Sequence, residues 1–177
     1  MVSFIQRMIG AALFNTRTYE EVEADRNATG QALAVVLLAS VGAGIGWVGV
    51  GTDRVWTMVV LSTVAVAAWI AWALLTYLIG TQILPEAQTQ ANPGELLRTL
   101  GFAQSPGILR VFGAVGGLGP AVASITALRT LATMVVAVRQ ALDYTGTQRA
   151  VAVCVAGWLL ALVMFGVIAV FFAPPVF

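Results

Sequence analysis

Polar and apolar positions along this chain fall into long blocks and not into short alternations. Four stretches carry no charge: Ala32–Gly51 with 20 residues, Val55–Leu84 with 30, Val111–Leu128 with 18 and Ala150–Phe177 with 28. A bilayer core of about 30 Å requires about 20 helical residues, so the first, second and last blocks predict membrane-spanning helices. At about 1.5 Å per residue the second block reaches about 45 Å and must tilt or project beyond the core. Its Thr76, Tyr77, Thr81 and Gln82 suit an interfacial end, and Trp56 suits an interface anchor at the other.

Leu96–Leu142 admits two readings. One places two spans here, 96–115 and 119–141, joined at Gly116-Gly117, with Pro120 in the first turn of the second helix, where its missing N–H costs nothing. The other places a single span near 111–138. Arginine retention on the cytoplasmic side separates them. With five spans and the N-terminus inside, Arg7, Arg17, Arg26, Arg98, Arg139 and Arg149 lie inside, against Arg54 and Arg110, with Arg129 set aside. With four spans Arg139 and Arg149 move outside while Arg98 and Arg110 lie inside, so the asymmetry shrinks to five against three. The expected architecture is therefore an all-α polytopic bundle with spans near 32–51, 55–84, 96–115, 119–141 and 150–173, four spans being the alternative. A cytoplasmic or interfacial segment, 1–28, precedes this transmembrane domain, 29–177.

In that N-terminal segment Phe4, Ile5, Met8, Ile9 and Ala12 form a stripe at helical spacing with Gln6 and Arg7 off it, which predicts a short interfacial helix. A cleavable signal is the competing expectation, but Met8–Phe14 is short and Asn15-Thr16-Arg17 is a poor cleavage site. Thr18-Tyr19-Glu20-Glu21 spells a capping box that would open a second short helix. The acids Glu20, Glu21, Glu23 and Asp25 read as a solvated face, with a basic partner as the alternative.

Composition closes several avenues. The chain is 59% hydrophobic and 10% charged, where an average soluble domain is about 25% charged, so a soluble enzyme is excluded. Nine arginines against eight acids leave a net charge of +1, which implies no nucleic-acid partner. The absence of histidine removes Ser–His and Cys–His dyads, histidine-ligated haem and H-E-x-x-H zinc sites. Cys154, the single cysteine, has no disulfide partner and lies in an apolar run, where it behaves as a small hydrophobe. No cofactor or metal site is expected.

Four motifs remain. Gly44-Ile45-Gly46-Trp47-Val48-Gly49 spells G-x-G-x-x-G, but inside an uncharged block and not at a strand-to-helix turn, so it fails as a dinucleotide site. Ala39, Gly42, Ala43 and Gly46 instead make a small-residue face for close helix packing, within the chain or with a second subunit. Asn27-Ala28-Thr29 has the spelling of a glycosylation sequon; on this topology it faces the cytoplasm, and Asn27 is expected to cap the first membrane helix. Arg129 falls near the centre of 119–141, where a lone guanidinium costs about 2.5–3.5 kcal/mol on insertion scales. It either snorkels to an interface or faces a polar pocket with Gln104, Ser105 and carbonyls freed at Ser105-Pro106-Gly107, a triplet that breaks a helix. Arg139 and Asp143, four apart at a helix end, read as a surface ion pair, with protein docking as the alternative.

The order of segments carries a resemblance. The acidic stretch Thr18–Asp25 precedes the first span, then comes Gly94-Glu95-Leu96-Leu97-Arg98-Thr99-Leu100-Gly101-Phe102-Ala103 with Ser105-Pro106-Gly107. Ala137-Val138-Arg139-Gln140-Ala141-Leu142-Asp143-Tyr144-Thr145 follows, and Arg149-Ala150 opens the last helix. Over roughly the whole chain this order resembles the membrane domain of the Ypt-interacting protein (Yip) family in its short prokaryotic-type form. The resemblance implies five helical spans and a cytoplasmic N-terminus. Eukaryotic relatives bind small Rab-type GTPases and act in membrane traffic and shaping. That role is not expected to transfer, because the residues before the first span are too few for the long soluble region those relatives carry. Lysine-free, Ala/Val/Gly-rich usage points to a GC-rich prokaryotic source and hence an inner membrane. The expected function is non-enzymatic: a scaffold, membrane-organising protein or accessory subunit, partnered by the lipid bilayer and by other membrane subunits or its own copies. The alternative is a small transporter or channel with a polar site near Arg129.

Overall fold

The computed structural model describes residues 3–48 and 55–172, with side chains described up to Gly46 and from Val55 to Val163. The expected roles of Trp47, Gly49 and Arg54, and the first span beyond Val48, lie wholly or in part outside the described residues. All regular structure among the described residues is helical, and three helical stretches are long and apolar enough to cross a membrane: Ala28–Gly46, Val55–Ile83 and Gly119–Ala141.

Two short helices open the chain. In α1 (Phe4–Ala12) the Ser3 hydroxyl accepts from the Gln6 N–H while the Gln6 side chain accepts from the Ser3 N–H, a reciprocal box that starts the helix. Helix α2 (Thr16–Ala24) begins two residues before the expected Thr18 box. Its N-cap is Asn15, whose side chain accepts from Arg17 N–H, and Thr18 is buried beneath Gly10 instead of capping. The entry to α3 (Ala28–Val48) also differs from expectation. Asp25 Oδ1 accepts from Asn27 N–H and the Asp25 carbonyl accepts from Ala28 N–H, so Asp25 organises the turn assigned to Asn27.

Helix α4 (Val55–Leu78) continues into a π turn, Ile79–Ile83. Helix α5 (Pro93–Phe102) starts on an Asn92/Glu95 capping box with Pro93 in its first turn. Beyond Phe102 the predicted break at Ser105-Pro106-Gly107 takes a specific form: the chain tightens into a 3-10 stretch, Ser105–Ala114. Such runs rarely exceed three or four residues. A turn containing Gly117 at φ +81° then leads to α6 (Gly119–Ala141), with Pro120 in its first turn as expected. Helix α7 (Thr147–Phe172) follows.

The small-residue face of α3 packs within the chain, against α5 and the 3-10 stretch. A Cβ placed on Gly42 would stand 2.8 Å from the Ile108 carbonyl oxygen, and one on Gly46 only 2.0 Å from that of Arg110. Ala32 lies under Gly101 and Ala39 under Gly107, while Ala43 is half-buried. Backbone meets backbone along this seam, which is what residues without side-chain bulk permit.

The side chains of the buried core gather toward one end of the bundle. They come from α1 and α2, the start of α3 (28–36), the later turns of α4 with the π turn after it (69–79), α5, the end of α6 with the residues that follow it (137–144) and the start of α7. At the opposite end Val55–Val64, Leu109–Leu118 and Val155–Val163 expose large apolar side chains, and Ile125 and Leu128 do so partway along α6. We call these the packed end and the open end.

Candidate functional site

The polar groups of the packed end are arranged around helix termini. A helix leaves its last carbonyls unpaired and carries partial negative charge there, which favours cations. Arg98, only 6% exposed, donates from Nε to the Val22 carbonyl at 3.2 Å and from Nε and Nη2 to that of Glu23. It thus closes the C-terminus of α2. Arg129 does the same for α1, donating from Nη2 to the Ala12 carbonyl at 3.0 Å with its guanidinium 5.4 Å from the Phe14 ring centroid. Tyr19 hydroxyl sits 3.1 Å from the Ala11 carbonyl and 3.4 Å from that of Thr133, joining α1, α2 and α6. Burial raises the pKa of this hydroxyl, so it stays a donor.

The other side of the packed end repeats the pattern. Tyr144 donates to the Gly80 and Leu84 carbonyls at the end of α4. Arg149 donates to the Pro85 carbonyl at 2.6 Å and pairs with Glu86 at 3.5 Å. Glu86 also accepts from the N–H and hydroxyl of Thr145, and these bonds hold its carboxyl below the usual carboxylate range. Arg7 links α1 to Asp25 at 2.8 Å and to Gln31 at 3.1 Å, which lowers the Asp25 carboxyl in the same way.

The site expected around Arg129 is assembled differently. Gln104 and Ser105 are not its partners. Ser105 hydroxyl donates to the Phe102 carbonyl at 2.6 Å, and the Ala103 carbonyl freed at the helix break accepts from Thr133 Oγ1 at 2.7 Å. A hydroxyl that also returns to its own helix reaches these carbonyls without importing charge, so Arg129 is left for the end of α1. The expected Arg139–Asp143 ion pair is also replaced. Helix α6 ends at Ala141 and Asp143 takes φ +53°, so four-residue helical spacing no longer applies. Arg139 donates instead to the carbonyls of Tyr144 at 3.4 Å and Thr145 at 3.3 Å.

Arg98, Tyr19, Thr133 and Tyr144 were missed as key residues in sequence. Thr126, Thr130 and Thr133 do carry a signal: a hydroxyl row at helical spacing on an apolar helix, buried against the neighbouring segment. Depressions among the described residues include two of note. One, of about 510 Å³, is lined by Pro85, Glu86, Gln88, Thr145, Gln148 and Arg149. The other, about 610 Å³, is an apolar groove between α3 and α4 lined by Leu37, Val41, Met58, Ser62, Val66 and Ile70 among others. Arg129 lines neither. Among the described residues no cluster of three carboxylate or thiol groups is placed to hold a metal ion. Comparison with family models, curated proteins and solved structures finds no match to this chain.

Proposed function

We propose that this chain is a non-enzymatic integral membrane protein that crosses the bilayer five times, with its packed end and N-terminus cytoplasmic. In this reading it serves as a scaffold, membrane-organising protein or accessory subunit of Yip-like type in a prokaryotic inner membrane. The observation that carries the reading is the use of its buried and half-buried polar groups: Arg98, Tyr19, Tyr144 and Thr133, and the half-buried Arg129, all donate to backbone carbonyls. Groups spent on fastening helices are not poised for proton transfer or solute coordination.

Span geometry supports the count of five. Ten α residues and ten 3-10 residues span about 15 Å and about 20 Å, so Pro93–Ala114 is long enough for a core of about 30 Å although neither part is. Helix α7, with 26 residues, is also long enough. Arg7, Arg98, Arg139 and Arg149 gather at the packed end, which supports a cytoplasmic placement. The transporter reading draws less support, because the Ala12 carbonyl and the Phe14 ring occupy Arg129.

Extraction in mild detergent followed by mass determination tests the proposal: recovery with other membrane subunits or as an oligomer is expected. A lone monomer, together with no effect of deletion on any membrane complex, would count against it. Solute flux in proteoliposomes that is lost in Arg129→Ala would favour the transporter.

A further inference from the structure

Helix α1 has two apolar faces, and only one is used by the protein. Phe4 meets the Phe102 ring edge-on at 6.3 Å and Ala11 is fully buried. On the other face Ile5, Ile9 and Leu13 are 63%, 53% and 63% exposed, a row at four-residue spacing. This row does not stand alone. The end of α1 is fastened to Arg129, and just beyond Arg129 on α6 Leu128 and Ile125 are 68% and 60% exposed. The exposed row of α1 therefore continues the apolar surface of a helix long enough to cross a membrane.

The attachment points also give a depth. Tyr19 hydroxyl joins the Ala11 carbonyl to the Thr133 carbonyl, and Gln140 donates to Glu20 seven residues further along α6. Seven residues correspond to about 10 Å along the axis. Counting from Gly119, Gln140 lies about 31 Å along α6, close to a whole hydrocarbon core of about 30 Å. The polar face of α2 thus falls at the membrane surface. The end of α1 falls about 10 Å beneath it, within the depth of about 5–10 Å at which in-plane helices bury their apolar face.

We propose that α1 lies in the plane of the membrane, with Ile5, Ile9 and Leu13 against the acyl chains of the leaflet at the packed end and Arg129 as its anchor. The proposal rests on the membrane-embedded reading of the long helices and not on the scaffold role. Apolar continuity with α6 selects acyl chains as the occupant.

Spin labels test it. In a Cys154→Ala background, single cysteines replace Ile9, Glu20 or Leu128, and each labelled protein is reconstituted in vesicles of phosphatidylcholine and phosphatidylglycerol. Collision rates with oxygen, which concentrates among acyl chains, are compared with those of a water-soluble nickel complex. The label at position 9 is expected to match that at 128, favouring oxygen several-fold, while the label at 20 favours nickel. Nickel preference at position 9 would place α1 in water and overturn the proposal. Shielding from both reagents would mean that protein or a second copy covers the row, and would overturn it equally. Nickel preference at position 128 would overturn the membrane reading itself. Adding Arg129→Ala is expected to increase the mobility of the label at position 9 and leave position 128 unchanged. An unchanged position 9 would remove the anchoring role.

Discussion

Arg98 and Glu23 show how a guanidinium on two backbone carbonyls and one carboxyl set the grip of α2. A buried guanidinium is costly unless its donors are met, and two carbonyls at a helix C-terminus meet them while using the partial charge there. Removing the cation leaves those carbonyls desolvated, so Arg98→Met is expected to lower stability by about 1.5–3 kcal/mol, read as a drop in unfolding temperature in detergent. Glu23 adds a pH dependence. Burial first, then the charges of Glu95, Asp143 and Glu20 against the opposing pull of Arg98, pushes its carboxyl up from 4.5 to about 7. The folded state thus holds the proton more tightly. Its contribution is fully present below about pH 4.5 and is lost as pH rises toward 7. Thermal unfolding across that range is expected to show this decline in the native protein and a flatter profile in Glu23→Gln. Asp25 works in the opposite sense: the Arg7 hydrogen bond lowers its carboxyl, so that contribution disappears as pH falls below the usual carboxylate range.

Between elements, the seam of α3 with α5 and the 3-10 stretch is set by what glycine omits. A methyl group on Gly46 has no space beside the Arg110 carbonyl, and that oxygen belongs to backbone and cannot swing aside. Gly46→Ala is therefore expected to destabilise by about 1–3 kcal/mol through overpacking. Gly30, on the same helix, has nothing within 4 Å of its hypothetical Cβ. Gly30→Ala is expected to stabilise by about 0.5–1 kcal/mol through reduced backbone entropy. Denaturant titration of both variants in the same detergent checks the contrast; equal shifts would mean that the seam does not set the packing. The break in α5 was legible because Pro106 and Gly107 act locally. Its repair by Thr133 was not, since that hydroxyl arrives from 30 residues away. The Thr18 box and the Arg139–Asp143 pair misled for a related reason. Both assume a helix boundary, and Asn15 and the end of α6 at Ala141 put those boundaries elsewhere.

For the whole molecule, the contrast between packed and open ends means that protein contacts dominate one end, while the other leaves its apolar side chains to the surrounding medium. Accessibility of single cysteines in a Cys154→Ala background tests the five-span topology. Positions 90 and 146 are expected to react from one side of the membrane and position 116 from the other; a four-span chain would instead put 90 and 146 on opposite sides. What the amino-acid order determined by itself was the solvent. Uncharged blocks near 20 residues long demand lipid whatever their neighbours, and Pro and Gly mark their interruptions through local sterics. Only the tertiary structure decided how each arginine is used. Arg129 meets a carbonyl 117 residues earlier and Arg98 one 75 residues earlier. A guanidinium accepts any carbonyl that packing brings within reach, so its partner is fixed by which helix ends come together and not by the residues beside it.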